Sequence, residues 1–111
     1  MSMKISKSGE VTVAAVEGRL DTTTAPAAES TITEAIDGGA TKIVIDFSAT
    51  DYISSAGLRV ILKAAKTLHQ KDGKLALCSA NEQILEVLEM SGFLTMMSHH
   101  ETLEAAVEAV G

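Results

Sequence analysis

The chain has no tryptophan, and its aromatic residues are two phenylalanines and one tyrosine. Base-stacking platforms and sugar-binding surfaces are built from such rings, so neither is expected here. Cysteine occurs once, at Cys78 in the apolar run Leu75-Ala76-Leu77-Cys78. That rules out an internal disulfide and predicts a buried structural thiol. Long hydrophobic runs are also missing. Charge or glycine interrupts each apolar stretch well short of the roughly 18 residues a membrane span requires, and Met1 to Glu10 lacks the apolar region of a signal peptide. A soluble, cytoplasmic chain without membrane insertion is expected. Basic residues are scarce: nine Lys and Arg stand against fifteen Asp and Glu, a formal charge of −6. A surface of that sign repels phosphate backbones, so direct contact with nucleic acid is not expected, and any influence on transcription must pass through another protein.

What is present is apolar and regularly spaced. Hydrophobic residues make up 46% of 111 positions, enough for one domain spanning residues 1–111 with a continuous core. Met3–Lys7 and Val11–Val16 read as β-type runs joined at Ser8-Gly9, an N-terminal hairpin whose second run ends at Gly18. Ala25, Ala28, Ile32, Ala35 and Ile36 fall at helical spacing, with Thr22 to Thr24 as cap candidates, Pro26 in the first turn and Gly38-Gly39 as the stop. Ile43-Val44-Ile45 with Phe47 has the nearly continuous apolar pattern of a strand covered on both faces. A second helix follows Ser54-Ser55, with Leu58, Ile61, Leu62, Ala65 and Leu68 on one stripe and Gly73 as its stop. Lys74–Ser79 is the next strand. Asn81 caps a third helix carrying Ile84, Leu85 and Leu88, and Ser91-Gly92 ends it. Phe93–Met97 reads as a last short strand, and Glu101–Val110 as a fourth helix with Leu103, Ala106, Val107 and Val110 inward. This order predicts an α/β fold: a mixed, mostly parallel sheet of four to five strands with about four helices.

The motifs of common enzyme classes are missing. There is no Walker loop, no dinucleotide-binding glycine pattern and no Gly-x-Ser-x-Gly elbow. His69 falls inside a helix, and His99-His100 reads as a solvated loop with no further Cys or His at metal-ligand spacing. Asp46 reads as a strand end and Asp51 as a turn rather than a pair of acid-base carboxylates. No catalytic residue, metal or cofactor is assigned. Ser54-Ser55-Ala56-Gly57 is more informative, because it places two hydroxyls at the mouth of an amphipathic helix. The unpaired N–H groups and partial positive charge there favour an anion such as phosphate, and Gly57 keeps the approach clear of a side chain. Capping alone also accounts for a serine at this place.

Ile43-Val44-Ile45-Asp46-Phe47 followed by Asp51-Tyr52-Ile53-Ser54-Ser55-Ala56-Gly57-Leu58 resembles the signature of the STAS domains, the sulfate transporter and anti-sigma factor antagonist family. Gly18-Arg19-Leu20-Asp21 is similar to the family's Gly-x-Leu-Asp after the second strand. Met90-Ser91-Gly92-Phe93 is similar to its Met-Ser-Gly after the third helix. Three motifs in order span nearly the whole chain. A chain this small resembles the free-standing anti-sigma factor antagonists. The resemblance implies binding to an anti-sigma factor, a serine kinase of the histidine-kinase-like ATPase type, with release of a sigma factor. It also implies a switch: phosphorylation of Ser55, aligned on Gly57, reversed by a serine phosphatase. Ser54 stands where the family commonly has Asp, and Ala56 where it has a second hydroxyl, so Ser54 is an alternative acceptor. Asp21 matches the family's acidic loop residue near the partner.

Partner-binding residues are thus expected at Asp21, Ser54, Ser55 and Gly57. Arg59 and Lys63 join them because Arg59, Lys63 and Lys66 form one basic stripe at i, i+4 and i+7, readable by an acidic partner surface or simply a solvated face. Met90, Met96 and Met97 are read as core packing. The alternative function is a STAS accessory subunit that grips a membrane transporter ATPase without a phosphorylation cycle. A STAS scaffold or small-ligand sensor is a further reading.

Overall fold

The computed structural model describes residues 2–95 and 97–111. Two strands open the chain, β1 (Ser2–Ser8) and β2 (Val11–Leu20), paired antiparallel as the hairpin pattern predicts. Helix α1 (Ala25–Asp37) and strand β3 (Lys42–Asp46) follow, then β4 (Thr50–Ile53), α2 (Ser55–Gln70), β5 (Lys74–Cys78) and α3 (Glu82–Met90). A single 3-10 turn over Phe93–Thr95, β6 (Ser98–His100) and α4 (Leu103–Val110) complete the described elements.

The main sheet runs β1-β2-β3-β5-β6, parallel from β2 onward, and β4 pairs with the far end of β2. β3 is central, and successive side chains face opposite sides of a strand. Ile43 and Ile45 therefore join one core with α1, α2 and α3, while Val44 joins a second with Val11, Val13, Ala76 and the α4 residues Ala106 and Val110. Cys78 is fully buried in that second core. Burial pushes its thiol up to about 11, assisted by the nearby Asp46 carboxylate.

The mixed, mostly parallel α/β architecture agrees with the expectation, but six strands are described where four to five were expected. The additional strand is β4. Asp51 lies within it rather than in a turn, whereas Asp46 does end β3 and accepts from the Ser48 N–H at 2.9 Å. β2 does not stop at Gly18. It passes through Gly18 at a positive φ of 88°, shifts register beside Arg19 and continues to Leu20, and this extension is what β4 pairs with. The last strand is not Phe93–Met97. Met97 N–H donates to the Phe93 carbonyl in a tight turn, and the β5 edge is taken by Ser98–His100 instead. The histidine pair is therefore a strand, not a solvated loop: His99 Nε2 accepts from the Ala80 N–H at 3.2 Å.

Two further readings change. The buried stripe of α2 is Gly57, Val60, Ile61, Ala64 and Leu68, with Leu58, Leu62 and Ala65 only half-buried beside it. Met97 is core and Met90 is exposed, while Met96 lies outside the described residues.

Candidate functional site

The sheet brings two loops to one edge: the turn after β2 and the junction of β4 with α2. Arg19 lies opposite Tyr52 and Leu20 opposite Ile53, and the Ser54 N–H extends the pairing by donating to the Leu20 carbonyl at 2.9 Å. Asp21 and the start of α2 are therefore neighbours. Gly57 explains how closely they fit. A Cβ there would lie 2.7 Å from the Leu20 carbonyl oxygen, 2.8 Å from Leu20 Cγ and 2.9 Å from Ile53 Cγ1. The first turn of α2 is seated directly on the end of β2, and only glycine leaves the space. Gly57 is buried and supports the helix mouth from beneath.

The two serines have different surroundings. Ser54 is the N-cap, extended in backbone, and its Oγ accepts from the Gly57 N–H at 3.4 Å. Ser55 is the first helical residue and stands exposed. The hydroxyl of Ser54 satisfies an otherwise orphan helix donor, whereas that of Ser55 is presented to solvent at the positive end of a 16-residue helix.

The Asp21 turn is held by its own side chains. Asp21 Oδ1 accepts from the N–H groups of Thr23 at 3.0 Å and Thr24 at 3.2 Å. Thr24 is the N-cap position of α1, yet its hydroxyl turns back to donate to the Arg19 carbonyl at 2.8 Å, so Asp21 caps the chain where a threonine was expected to. Burial disfavours the charged form of Asp21, but the hydrogen bonds from Thr24, Thr23 and Arg19 outweigh it and hold the carboxyl below the usual carboxylate range. Arg19 Nε is 3.5 Å from Asp21 Oδ2, and the guanidinium carbon lies 4.5 Å above the centre of the Tyr52 ring. Cation–π stacking on one side and an ion pair on the other fix Arg19 in place. Reading the sequence did not single out Tyr52, because the bulge in β2 that brings it under Arg19 leaves no pattern in the residues themselves.

Of the basic stripe, Arg59, Lys63 and Lys66 are all exposed on α2. Lys63 is committed: its Nζ reaches Glu29 on α1 at 2.9 Å, across a shallow groove between the two helices. Arg59 and Lys66 make no ion pair among the described residues. The structure thus gathers Asp21, Ser54, Ser55 and Arg59 around the mouth of α2, with Lys63 one turn further along the helix.

Comparison with known proteins agrees with this architecture. The sequence pattern of the STAS domain matches residues 2–106. A Bordetella bronchiseptica protein, BtrV, whose name provisionally calls it an anti-sigma factor antagonist, is 37% identical over 109 residues, covering 98% of this chain and 94% of its own. Among solved structures, a Thermotoga maritima protein also provisionally named an anti-sigma factor antagonist superposes with a TM-score of 0.93 at 23% identity, covering 97% of this chain and 93% of its own. The Bacillus cell fate determinant SpoIIAA, solved in a phosphorylated form, gives 0.77 at 24% identity, covering 99% and 100%. With the mixed sheet, the glycine-seated helix mouth and the family pattern over nearly all of its length, this chain belongs to the STAS domain family.

Proposed function

We propose that this protein is an anti-sigma factor antagonist whose binding surface is the mouth of α2 and whose switch is Ser55. In this reading the unmodified surface binds an anti-sigma factor, a serine kinase of the histidine-kinase-like ATPase type, and so frees a sigma factor. That exchange belongs in the cytoplasm, where ATP and RNA polymerase are found. The observation that carries the reading is the contrast between the serines: Ser55 is exposed at the first turn of α2, whereas the Ser54 hydroxyl is used in the cap. The name of the Bordetella relative and the phosphorylated form of the Bacillus one support it.

Phosphorylation adds roughly −1.5 to −2 charges. At the first turn the helix end tolerates them internally, and Arg59, at i+4, lies within reach of a phosphate on Ser55. The fold therefore survives the modification. Its partner does not, because the phosphate adds negative charge beside Asp21 and competes for Arg59. A serine phosphatase restores the surface. The test is mass spectrometry of the peptide containing Ser54 and Ser55, from growing and from stressed cells of the natural host. Occupancy on Ser55 that changes with condition is expected. Its absence in every condition would overturn the switch and favour a constitutive binding module, such as an accessory subunit of a transporter ATPase.

A further inference from the structure

Strand β4 and helix α3 leave a groove of about 260 Å³ on the side of the molecule where β4 runs into Ser54, lined by Asp51, Tyr52, Ile53, Gln83, Ile84 and Val87. Among the described residues few large hydrophobic side chains are exposed, and Tyr52 and Val87 of this groove are two of them. Tyr52 is 43% exposed, Val87 36%, and Met90, on the same helix face as Gln83 and Val87, 80%. The groove is preformed, because Asn81 caps α3 at the Ile84 N–H, 2.8 Å away, while its amide nitrogen reaches the Thr50 carbonyl of β4 at 3.4 Å. The unpaired charges beside it are acidic. Asp51 forms one wall, Glu86 stands at the outer edge of α3 beside Val87 and one turn before Met90, and α3 contains no Lys or Arg. Neither carboxylate makes an ion pair among the described residues. The nearest cation, Arg19 over Tyr52, is already opposed by Asp21.

We infer that this groove docks a basic amphipathic helix of the partner, with an apolar side chain lodged between Tyr52 and Val87, Met90 closing over it, and lysine or arginine residues facing Glu86 and Asp51. Met supplies an adaptable apolar contact, and the unpaired carboxylates of Asp51 and Glu86 select a cationic segment and reject an acidic one. Placing that helix in the anti-sigma factor rests on the function proposed above. The groove is continuous with Ser54 through β4, so one partner can span both.

The experiment is an NMR titration of the isotope-labelled full chain with a designed helical peptide, leucines along one face and lysines on its flanks, against the same peptide with glutamates for lysines. The lysine peptide should shift the amides of Tyr52, Ile53, Gln83, Val87 and Met90, and the glutamate peptide should shift none. V87S combined with M90S should weaken binding about tenfold, the scale of losing one buried apolar side chain. D51N with E86Q should weaken it and flatten its salt dependence. I5S, at a similarly exposed residue on β1 (43%), should change nothing. All these side chains are exposed, so the variants fold, as circular dichroism checks. Shifts clustered elsewhere, equal binding of both peptides, or an effect of I5S matching that of V87S with M90S would overturn the proposal. S55D should leave peptide affinity unchanged. If the peptide site stands while Ser55 variants bind the anti-sigma factor alike, only the switch falls. If the switch stands and the peptide fails, only the groove falls.

Discussion

Replacing Gly57 with alanine separates two accounts of why glycine stands there. In an open helix position the change stabilises by about 0.5–1 kcal/mol, because alanine loses less backbone entropy. If Gly57 served only to let an anion approach, that gain should be realised and only binding should suffer. The structure predicts the opposite sign. The added Cβ would sit 2.7 Å from the Leu20 carbonyl oxygen, with Leu20 Cγ and Ile53 Cγ1 inside 3 Å. That oxygen cannot move freely, since it accepts from the Ser54 N–H at 2.9 Å. The first turn of α2 must therefore tilt away from β2. Overpacking of this kind costs about 1–3 kcal/mol, which after the propensity gain leaves a net loss of about 1–2 kcal/mol. For a chain of this size the midpoint of thermal unfolding should fall by about 4–12 °C. Calorimetry and urea denaturation followed by circular dichroism read it directly. A G57A protein as stable as the parent, or more so, would refute the seating of α2 on Leu20.

Three other outcomes follow from the same geometry. His99 is half-buried, and burial, then His100, lowers its pKa against the opposing pull of Glu101 and Glu89. Folding therefore favours the neutral ring: its contribution is complete above the ordinary value of about 6.5 and is lost as pH falls through the lower folded value. Stability measured by denaturation should decline over that window, and H99Q should flatten the decline. Cys78, fully buried with its thiol pushed up to about 11, should resist thiol reagents at mildly alkaline pH and react at the rate of unfolding. Labelling faster than unfolding would contradict its burial. N81A should cost about 1 kcal/mol of stability through loss of the α3 cap, read as a lower urea midpoint at unchanged slope.

The parts that local chemistry dictates were legible in the residues. The central strand at Ile43–Ile45, the start of α2 at Ser55 and the Asn81 cap each follow from side chains a few positions apart. What escaped depends on the partner a segment meets. Thr50–Ile53 has a buried residue only at each end and becomes a strand because bulged β2 offers it an edge beyond Gly18. Phe93–Met97 has strand-like composition, yet Gly92 at a φ of 77° turns the chain tightly, and pairing with β5 begins only at Ser98. On α2, two apolar stripes lie side by side. The small residues Gly57 and Ala64 face inward because the helix approaches the sheet closely, which size-blind periodicity does not register. Near the mouth of α2, the motifs pick out Ser54, Ser55 and Asp21 as candidates. Tyr52 and Glu29, which hold Arg19 and Lys63, were not, since each contact joins elements distant in sequence.

Calorimetric affinity of the host's anti-sigma factor for the parent, S55A and S55D proteins tests the central claim most directly. The account predicts that S55A binds within a few-fold of the parent while S55D binds at least about tenfold more weakly, with both variants as stable as the parent. Equal affinity of S55A and S55D would contradict it.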